Sequence, residues 1–523
     1  MKLISEPSVS VKIQKMKQRV CWQHPSILQR GIDQTSMILD DGREENPDFS
    51  FMVIGDSGTK SHYGFHPQRQ VAQMMLNHIH DSRFILHTGD VIYVVGSREY
   101  YPANFIEPYR EFIVGGENPK NIAYDQMIFK LPILPVLGNH DYYDVPWFYR
   151  LITGSTLPLR RMLRYKDIEI GWHGSNQGDA YTRAFIDYLA AISPAELEHH
   201  LDEHYTAKSD VGRCLRYQPG KFTRLPNRYY TFHYGGIDFF ALDSNTFNTP
   251  EPLPENQAGD IFRRELLQRR QELEREEWEI LGECDQLDSE NPAESEQLAD
   301  LGAKLDQLNE VKIDIEKQLE THTLDDVDFE QLEWLRSRLI ESWQNSEVRG
   351  RVIFFHHPPY VTEATKWHQG QTLAVRHRLR GVFEQVAASL GNINQGRPLV
   401  DVICSGHAHC LEHLRTVNTG YADSHINYIV CGGSGRRPRR QRQEGTELME
   451  AFLTTDNSNF TQKVADSLLY VGRSGYGSQR KKPYSCVRVD VKAGFPAKFI
   501  VTPLVTELIE GKWCDRSLEP IVI

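Results

Sequence analysis

Apolar runs of strand length recur along the chain, and nearly every one stops at polar residues of a few kinds. Phe49-Ser-Phe-Met-Val-Ile54 ends in Gly55-Asp56-Ser57-Gly58, and Phe84-Ile-Leu-His-Thr88 ends in Gly89-Asp90-Val91-Ile92-Tyr93. Leu131-Pro-Ile-Leu-Pro-Val-Leu137 ends in Gly138-Asn139-His140-Asp141. Asn227 to Tyr234 and Ile237 to Leu242 form a hairpin-like pair that stops at Asp243. Later, Arg351 to Phe355 runs into His356-His357-Pro358-Pro359, Leu399 to Cys404 into Gly406-His407-Ala408-His409, and Ile426 to Val430 into Cys431-Gly432-Gly433-Ser434-Gly435. Between them lie stretches of helical spacing: Pro67 to His80, Asp328 to Leu339 and about Thr372 to Leu390. Strands alternating with helices, each strand delivering polar side chains at its carboxyl end, predict an α/β core with its site along one edge of the sheet.

Other segments break this rhythm. Residues 1–48 mix charge, Pro and Gly without period and read as an irregular lead-in. Residues 142–224 are longer than a connecting loop, which suggests a lid, subdomain or docking surface. From Glu255 to about Thr323 the chain is charged and helical, with Leu298, Leu305, Lys312 and Leu319 in one heptad column and Leu301, Leu308 and Ile315 in another. Leu266, Leu273, Ile280 and Leu287 recur every seven residues in its first half. Asn291-Pro292-Ala293-Glu294 supplies a helix start, so two antiparallel helices turning near Ser289 to Asn291 are expected. Mutual packing of this hairpin accounts for the Leu columns; the alternative is a protein partner or self-association through 255–323. The expected layout is therefore a core in two halves, 49–250 and 326–505, interrupted by the 255–323 hairpin and followed by a tail, 506–523.

Composition is ordinary for a globular chain, with 40% hydrophobic and 25% charged residues among 523, which excludes a disordered or fibrous protein. No apolar stretch approaches the roughly 20 residues of a membrane helix, and the first residues lack the apolar core of a secretory signal, so no membrane association and a cytoplasmic location are expected. Eight cysteines without CxxC spacing suit free thiols in a reducing compartment. A net charge of −12 argues against nucleic acid as a partner.

Five strand ends thus offer Asp56, Asp90 with Tyr93, Asn139 with His140, His356 with His357, and His407 with His409. Oxygen and imidazole ligands without thiolate suit Zn, Mn or Fe, and they are too many for one four-coordinate ion. Two ions sharing a bridging carboxylate is the economical arrangement. In spacing and order these motifs resemble the calcineurin-like metallophosphoesterase superfamily, with its D, GDxx, GNH[DE], H and GHxH series. The resemblance covers roughly 49–250 and 326–435. The first motif is Asp56-Ser57-Gly58 rather than D-x-H, and Tyr93 stands three residues after Asp90, a pairing that resembles the purple acid phosphatases.

That resemblance implies a two-sheet core flanked by helices. It also implies a first metal held by Asp56, Asp90, Tyr93 and His409 and a second held by Asp90, Asn139, His356 and His407. His356 is preferred to His357 because the purple-type ligand lies two residues before a Pro; His357 then faces substrate. A phenolate ionises readily only on a strongly Lewis-acidic ion, so iron is expected beside Tyr93 with Zn, Mn or Fe in the second site, the alternative being Mn/Mn or Zn/Zn. The implied reaction is in-line attack on a phosphate ester by hydroxide formed between the two ions, with His140 protonating the leaving oxygen. The substrate is expected to be a phosphorylated small molecule or nucleotide, most simply a phosphomonoester. A diesterase acting on cyclic or linear nucleotides is the alternative within the superfamily, and a non-catalytic adaptor working through the hairpin is the alternative outside it. The basic run Arg436-Arg437-Pro438-Arg439-Arg440-Gln441-Arg442 either receives an anionic substrate or is a solvated loop. His66, His87 and His233 match no motif and read as packing or surface histidines.

Overall fold

The computed structural model describes residues 4–59, 66–145, 173–209, 212–288, 291–323, 327–453, 459–476 and 479–523. In chain order the strands are β1 (Ile32–Leu39), β2 (Phe49–Ile54), β3 (Ser82–His87), β4 (Ile133–Pro135), β5 (Ala207–Ser209), β6 (Gly212–Tyr217), β7 (Tyr230–Tyr234), β8 (Ile237–Ala241) and β9 (Gly350–Phe354). They continue with β10 (Val402–Ser405), β11 (Leu411–Thr416), β12 (Asn427–Cys431), β13 (Glu447–Leu453), β14 (Asn459–Val471), β15 (Tyr484–Lys492), β16 (Lys498–Ile509), β17 (Lys512–Ser517) and β18 (Ile521–Val522). Among the described residues they form two sheets. One has the order β17-β16-β15-β2-β3-β4, with β18 beside β16; the other has the order β13-β14-β11-β12-β10-β9-β8-β7-β1-β6-β5.

Of the strands that carry the motifs, β2, β4, β9 and β10 are buried along their whole length and β3 at every residue but Arg83, as expected of parallel strands covered on both faces. β2, β3 and β4 run parallel, as do β8, β9, β10 and β12. The two sheets pack through aromatic side chains: Phe51 stands edge-on to Phe239 at 5.4 Å, and Phe84 edge-on to Phe232 at 5.4 Å and to Phe239 at 5.2 Å. Helix Pro67–His78 covers the outer face of the smaller sheet with Val71, Met74 and Met75 in the shared core. Helices Phe329–Gln344 and Gly370–Leu390 cover the larger sheet, packing Leu335, Leu339, Val375 and Phe383 with Ile353 and Phe355. The architecture is an α/β fold of two sheets flanked by helices.

The lead-in proves structured. Helix Val9–Arg19 buries Val9, Lys12, Met16 and Arg19, and β1 lies inside the larger sheet between β7 and β6. Both escape apolar periodicity because they bury polar groups. Lys12 is paired with Glu6 at 2.5 Å and with the Asn245 carbonyl at 3.2 Å, while β1 buries Gln34, Thr35 and Ser36. The tail is likewise part of the sheet: β16 runs through residue 506, and β17 pairs with it as an exposed edge strand with little apolar content.

Within 142–224, residues 146–172 lie outside the described residues, and β5 and β6 extend the larger sheet beyond β1. Helices Gln257–Cys284 and Pro292–Glu320 pack against each other through Leu266, Leu273 and Ile280 on one and Leu308 and Ile315 on the other, a cluster separate from both main cores. Of the turn expected between them, Ser289 and Glu290 also lie outside the described residues. Among the described residues no helix is long and apolar enough to cross a membrane, and all eight cysteines are free.

Candidate metal centre

Register brings the motifs to one level. Ile54 pairs with His87 and His87 with Pro135, so Asp56, Asp90 and Asn139 all leave the sheet within four residues of a common line. Phe354 pairs with Cys404, which places His356 and His407 at the matching edge of the other sheet. Asp56 (φ 53°), Asp90 (φ 53°) and His407 (φ 65°) adopt the left-handed backbone region, costly for residues with a Cβ and found where a site fixes side-chain direction. Gly138 permits a close approach: a Cβ there would lie 2.1 Å from Asp90 Oδ1.

The expected ligands meet in two adjoining groups. In the first, the Tyr93 hydroxyl donates to Asp56 Oδ1 at 2.6 Å and lies 3.2 Å from His409 Nε2, which is itself 3.6 Å from Asp56 Oδ1. In the second, Asn139 Oδ1 lies 2.9 Å from His356 Nε2 and 3.1 Å from His407 Nδ1, and Asp90 Oδ2 lies 3.3 Å from His356 Nε2. One ligand atom each from Asp56, Asp90 and His356 fall within 4.8 Å of one another, which joins the groups. Tyr93, the least exposed phenol of the site, is 3% exposed, and Asp56, Asp90, Asn139, His356, His407 and His409 are all buried.

The charges in this cluster call for a cation. Burial pulls the His356 imidazole down, but Asp90 and Asp56 outweigh it and raise it to about 9. Burial raises Asp56 to about 7, helped by the neighbouring Asp90. His356 Nδ1 faces the Thr88 carbonyl at 2.8 Å and must donate to it, so Nε2 points toward the oxygens of Asn139 and Asp90. Asp90 Oδ2 is buried and accepts no hydrogen bond. It faces the His356 imidazole at 3.3 Å, and oxygen and imidazole donors converging in this way could hold a metal ion. Asp141 holds this geometry from behind, accepting the amides of Val91, Ile92 and Gly138; burial and Asp90 raise its carboxyl to about 8.

His140 lies at the rim, half-buried, with its amide donating to Asp90 Oδ1 at 2.9 Å and its Nδ1 2.5 Å from the Val94 carbonyl. Burial holds its imidazole below the ordinary value. His357 is buried with Nδ1 2.8 Å from Ser244 Oγ and Nε2 3.2 Å from Asn248 Nδ2, and one of its nitrogens also falls within 4.8 Å of ligand atoms of His356 and His407. Of the histidines read as packing or surface groups, His87 is buried against Ser57 Oγ at 2.7 Å, His233 is exposed and paired with Asp238, and His66 is exposed ahead of helix Pro67–His78.

Three groups beside the cluster belong to no motif. Lys366 Nζ lies 2.9 Å from His407 Nε2 and 2.6 Å from Glu310 Oε2, and Gln371 Nε2 lies 3.2 Å from His407 Nε2. Glu310 comes from the hairpin's second helix and takes a two-pronged contact from Arg439. The basic run is not a solvated loop at this end: the Arg436 amide donates to the Asp56 carbonyl at 3.0 Å, its guanidinium lies 4.9 Å from the centre of the Tyr93 ring, and Arg439 is 5% exposed. Such groups carry no local signal; only the run itself, directly after a strand end, pointed here.

No family model matches the chain, and no curated protein does. Among solved structures it is similar to purple acid phosphatase PPD1 from yellow lupin (Lupinus luteus) seeds, with 12% identity and a TM-score of 0.42, over 92% of this chain and 54% of that one. It is similar also to GAP50, the anchor in the inner membrane complex of Plasmodium, with 10% identity and a TM-score of 0.37 over 90% of this chain and 89% of that one. A third similarity is to PhoD, with 12% identity and a TM-score of 0.38 over 92% of this chain and 70% of that one. The chain therefore spans about half the length of the lupin protein's chain.

Proposed function

We propose that the chain is a dinuclear-metal hydrolase of phosphate esters, acting on monoesters. The observation that carries this is Asp90 Oδ2, buried without a hydrogen bond between two groups of converging oxygen and imidazole donors. Asp56, Tyr93 and His409 would hold one ion, Asn139, His356 and His407 the other, and Asp90 both. When bound, such a pair neutralises phosphate oxygens and acidifies water, so that an anionic nucleophile exists at neutral pH.

The chain's own side chains supply the rest. Asp141 fixes the amides around Asp90 and so its aim. His140, with its Nδ1–H committed to the Val94 carbonyl, keeps Nε2 as the atom that would pass a proton to the leaving oxygen when the ring is protonated, a state that burial shifts toward acid solution. His357, with Nδ1 at Ser244 and Nε2 accepting from Asn248, has no N–H left for a phosphoryl oxygen and instead backs the His407 ring, whose centre is 4.6 Å away. Tyr93 favours iron in its group, because a phenol loses its proton readily only to a strong Lewis acid.

The test is elemental analysis of the purified chain together with hydrolysis of an aryl phosphate and the matching diester. Two equivalents of metal and preference for the monoester are expected. A chain that takes up no metal, or that cleaves only the diester, would overturn this reading. A visible absorption band lost in Tyr93→Phe marks the iron.

A further inference from the structure

The hairpin's second helix lays a row of acids on the body of the protein. Asp300 meets Arg473 at 2.8 Å and Lys482 at 3.3 Å, Asp306 meets Arg436 at 2.7 Å, Glu310 meets Arg439 and Lys366, and Asp314 accepts the amides of Gly370 and Gln371 at 2.9 and 3.0 Å. Most of its apolar side chains pack inside the hairpin, in a cluster apart from the main cores, with Ile313 facing the segment around Ile4 and Val9. This contact is built mainly of charge pairs, which another anion can replace one for one.

At Glu310 two cations meet one carboxylate, with Glu363 and Asp306 also acting on Arg439. Lys366 is fully buried and Arg439 5% exposed, yet they share one carboxylate that is itself 19% exposed. Arg439 binds it with both prongs of its fork, a geometry that suits carboxylate and phosphate alike. Lys366 reaches His407 at Nε2, whereas Nδ1 of the same ring faces Asn139, so one imidazole separates this anion from the ligand cluster. An anion seated on Lys366 and Arg439 would thus lie across the His407 ring from the ligand cluster.

We propose that Lys366, Arg436 and Arg439 form a subsite for a second anionic group on the substrate, occupied in this closed form by the carboxylate of Glu310. The substrate class becomes a phosphate ester or anhydride with a further phosphoryl or carboxylate group beside the scissile bond. The hairpin then covers the site while no such group is present. This subsite rests on the phosphoesterase reading of the adjoining centre.

The experiment is calorimetric titration of inorganic phosphate into chelator-treated full-length protein, which reads the subsite without turnover. Glu310→Gln should bind phosphate at least about tenfold more tightly than the parent, and adding Arg439→Gln should abolish the gain. Should Glu310→Gln not accumulate folded, Glu310→Asp, which withdraws the carboxylate by one methylene, is expected to show the same gain. Equal affinity in parent and folded variant overturns the subsite. In the metal-loaded protein, Arg439→Gln should raise KM for pyrophosphate or carboxyphenyl phosphate at least tenfold more than for phenyl phosphate, and the more affected of the two names the second group. An equal rise for all three overturns it. Metal uptake and phenyl phosphate hydrolysis without the Glu310 effect leave the phosphoesterase reading standing and the subsite lost; the Glu310 effect in a chain that takes up no metal gives the reverse.

Discussion

Asp90 lies between two groups of donors, each drawn from both sheets, and comparing its replacement with that of His140 separates binding from chemistry. Asp90→Ala should lose metal uptake and hydrolysis together, whereas His140→Ala should keep both ions and lose rate by about 10²- to 10⁴-fold, checked by elemental analysis beside kcat. Gly138→Ala should act like a milder Asp90 variant. Its Cβ would enter the space of Asp90 Oδ1, so lowered metal occupancy and a loss of about 1–3 kcal/mol in stability are expected from loading and denaturant titrations. These positions were legible in sequence because a buried strand, a glycine and a polar residue lie side by side in the chain. Lys366 and Glu310 were not: each matters only through partners 41 to 129 positions away.

The helices show how far periodicity reaches. Leu266, Leu273, Ile280, Leu308 and Ile315 stand in heptad columns, and these same side chains pack together. What the columns could not show is the opposite face, where Asp306, Glu310 and Asp314 meet the body, because charged positions read alike whether solvated or paired. Truncating Leu273 or Ile315 to Ala should cost about 2–5 kcal/mol in the hairpin and bring earlier proteolytic cleavage there, with the two sheets intact by circular dichroism. Helix Val9–Arg19 and β1 went unread for the converse reason: Lys12, Arg19 and Gln34 occupy buried positions, each with a partner, and interrupt the apolar pattern.

At the scale of the whole molecule, two buried carboxylates set opposite pH limits. Burial alone would raise Glu450 in β13, but His377, Arg376 and Arg380 outweigh it and bring the group from 4.5 to about 2. Its stabilisation is present above pH 4.5 and is lost as pH falls toward 2, so Glu450→Gln should lower stability at pH 6 and flatten the acid limb of an unfolding curve. Glu412 is raised by burial from 4.5 to about 7 despite hydrogen bonds from Ser467 and Thr362. Its contribution is full below 4.5 and falls as pH rises through 7, so Glu412→Gln should melt higher than the parent at pH 8 and not at pH 4. The strand pattern gave the alternation of strands and helices, whereas the division into two sheets was implied only by the family resemblance, and the closure by β15 and β16 was not legible at all, since they offer no polar motif. Yet β15 pairs with β2 along Val53 to Phe49, beside the turn that bears Asp56. A nascent polypeptide therefore emerges with most of its donors made but the seat of Asp56 open along one edge. The pocket is finished only when the segment through Lys492 has cleared the ribosome, and a chain cut short before Tyr484 should leave β2 an unpaired edge and aggregate, as light scattering of the truncated chain would show.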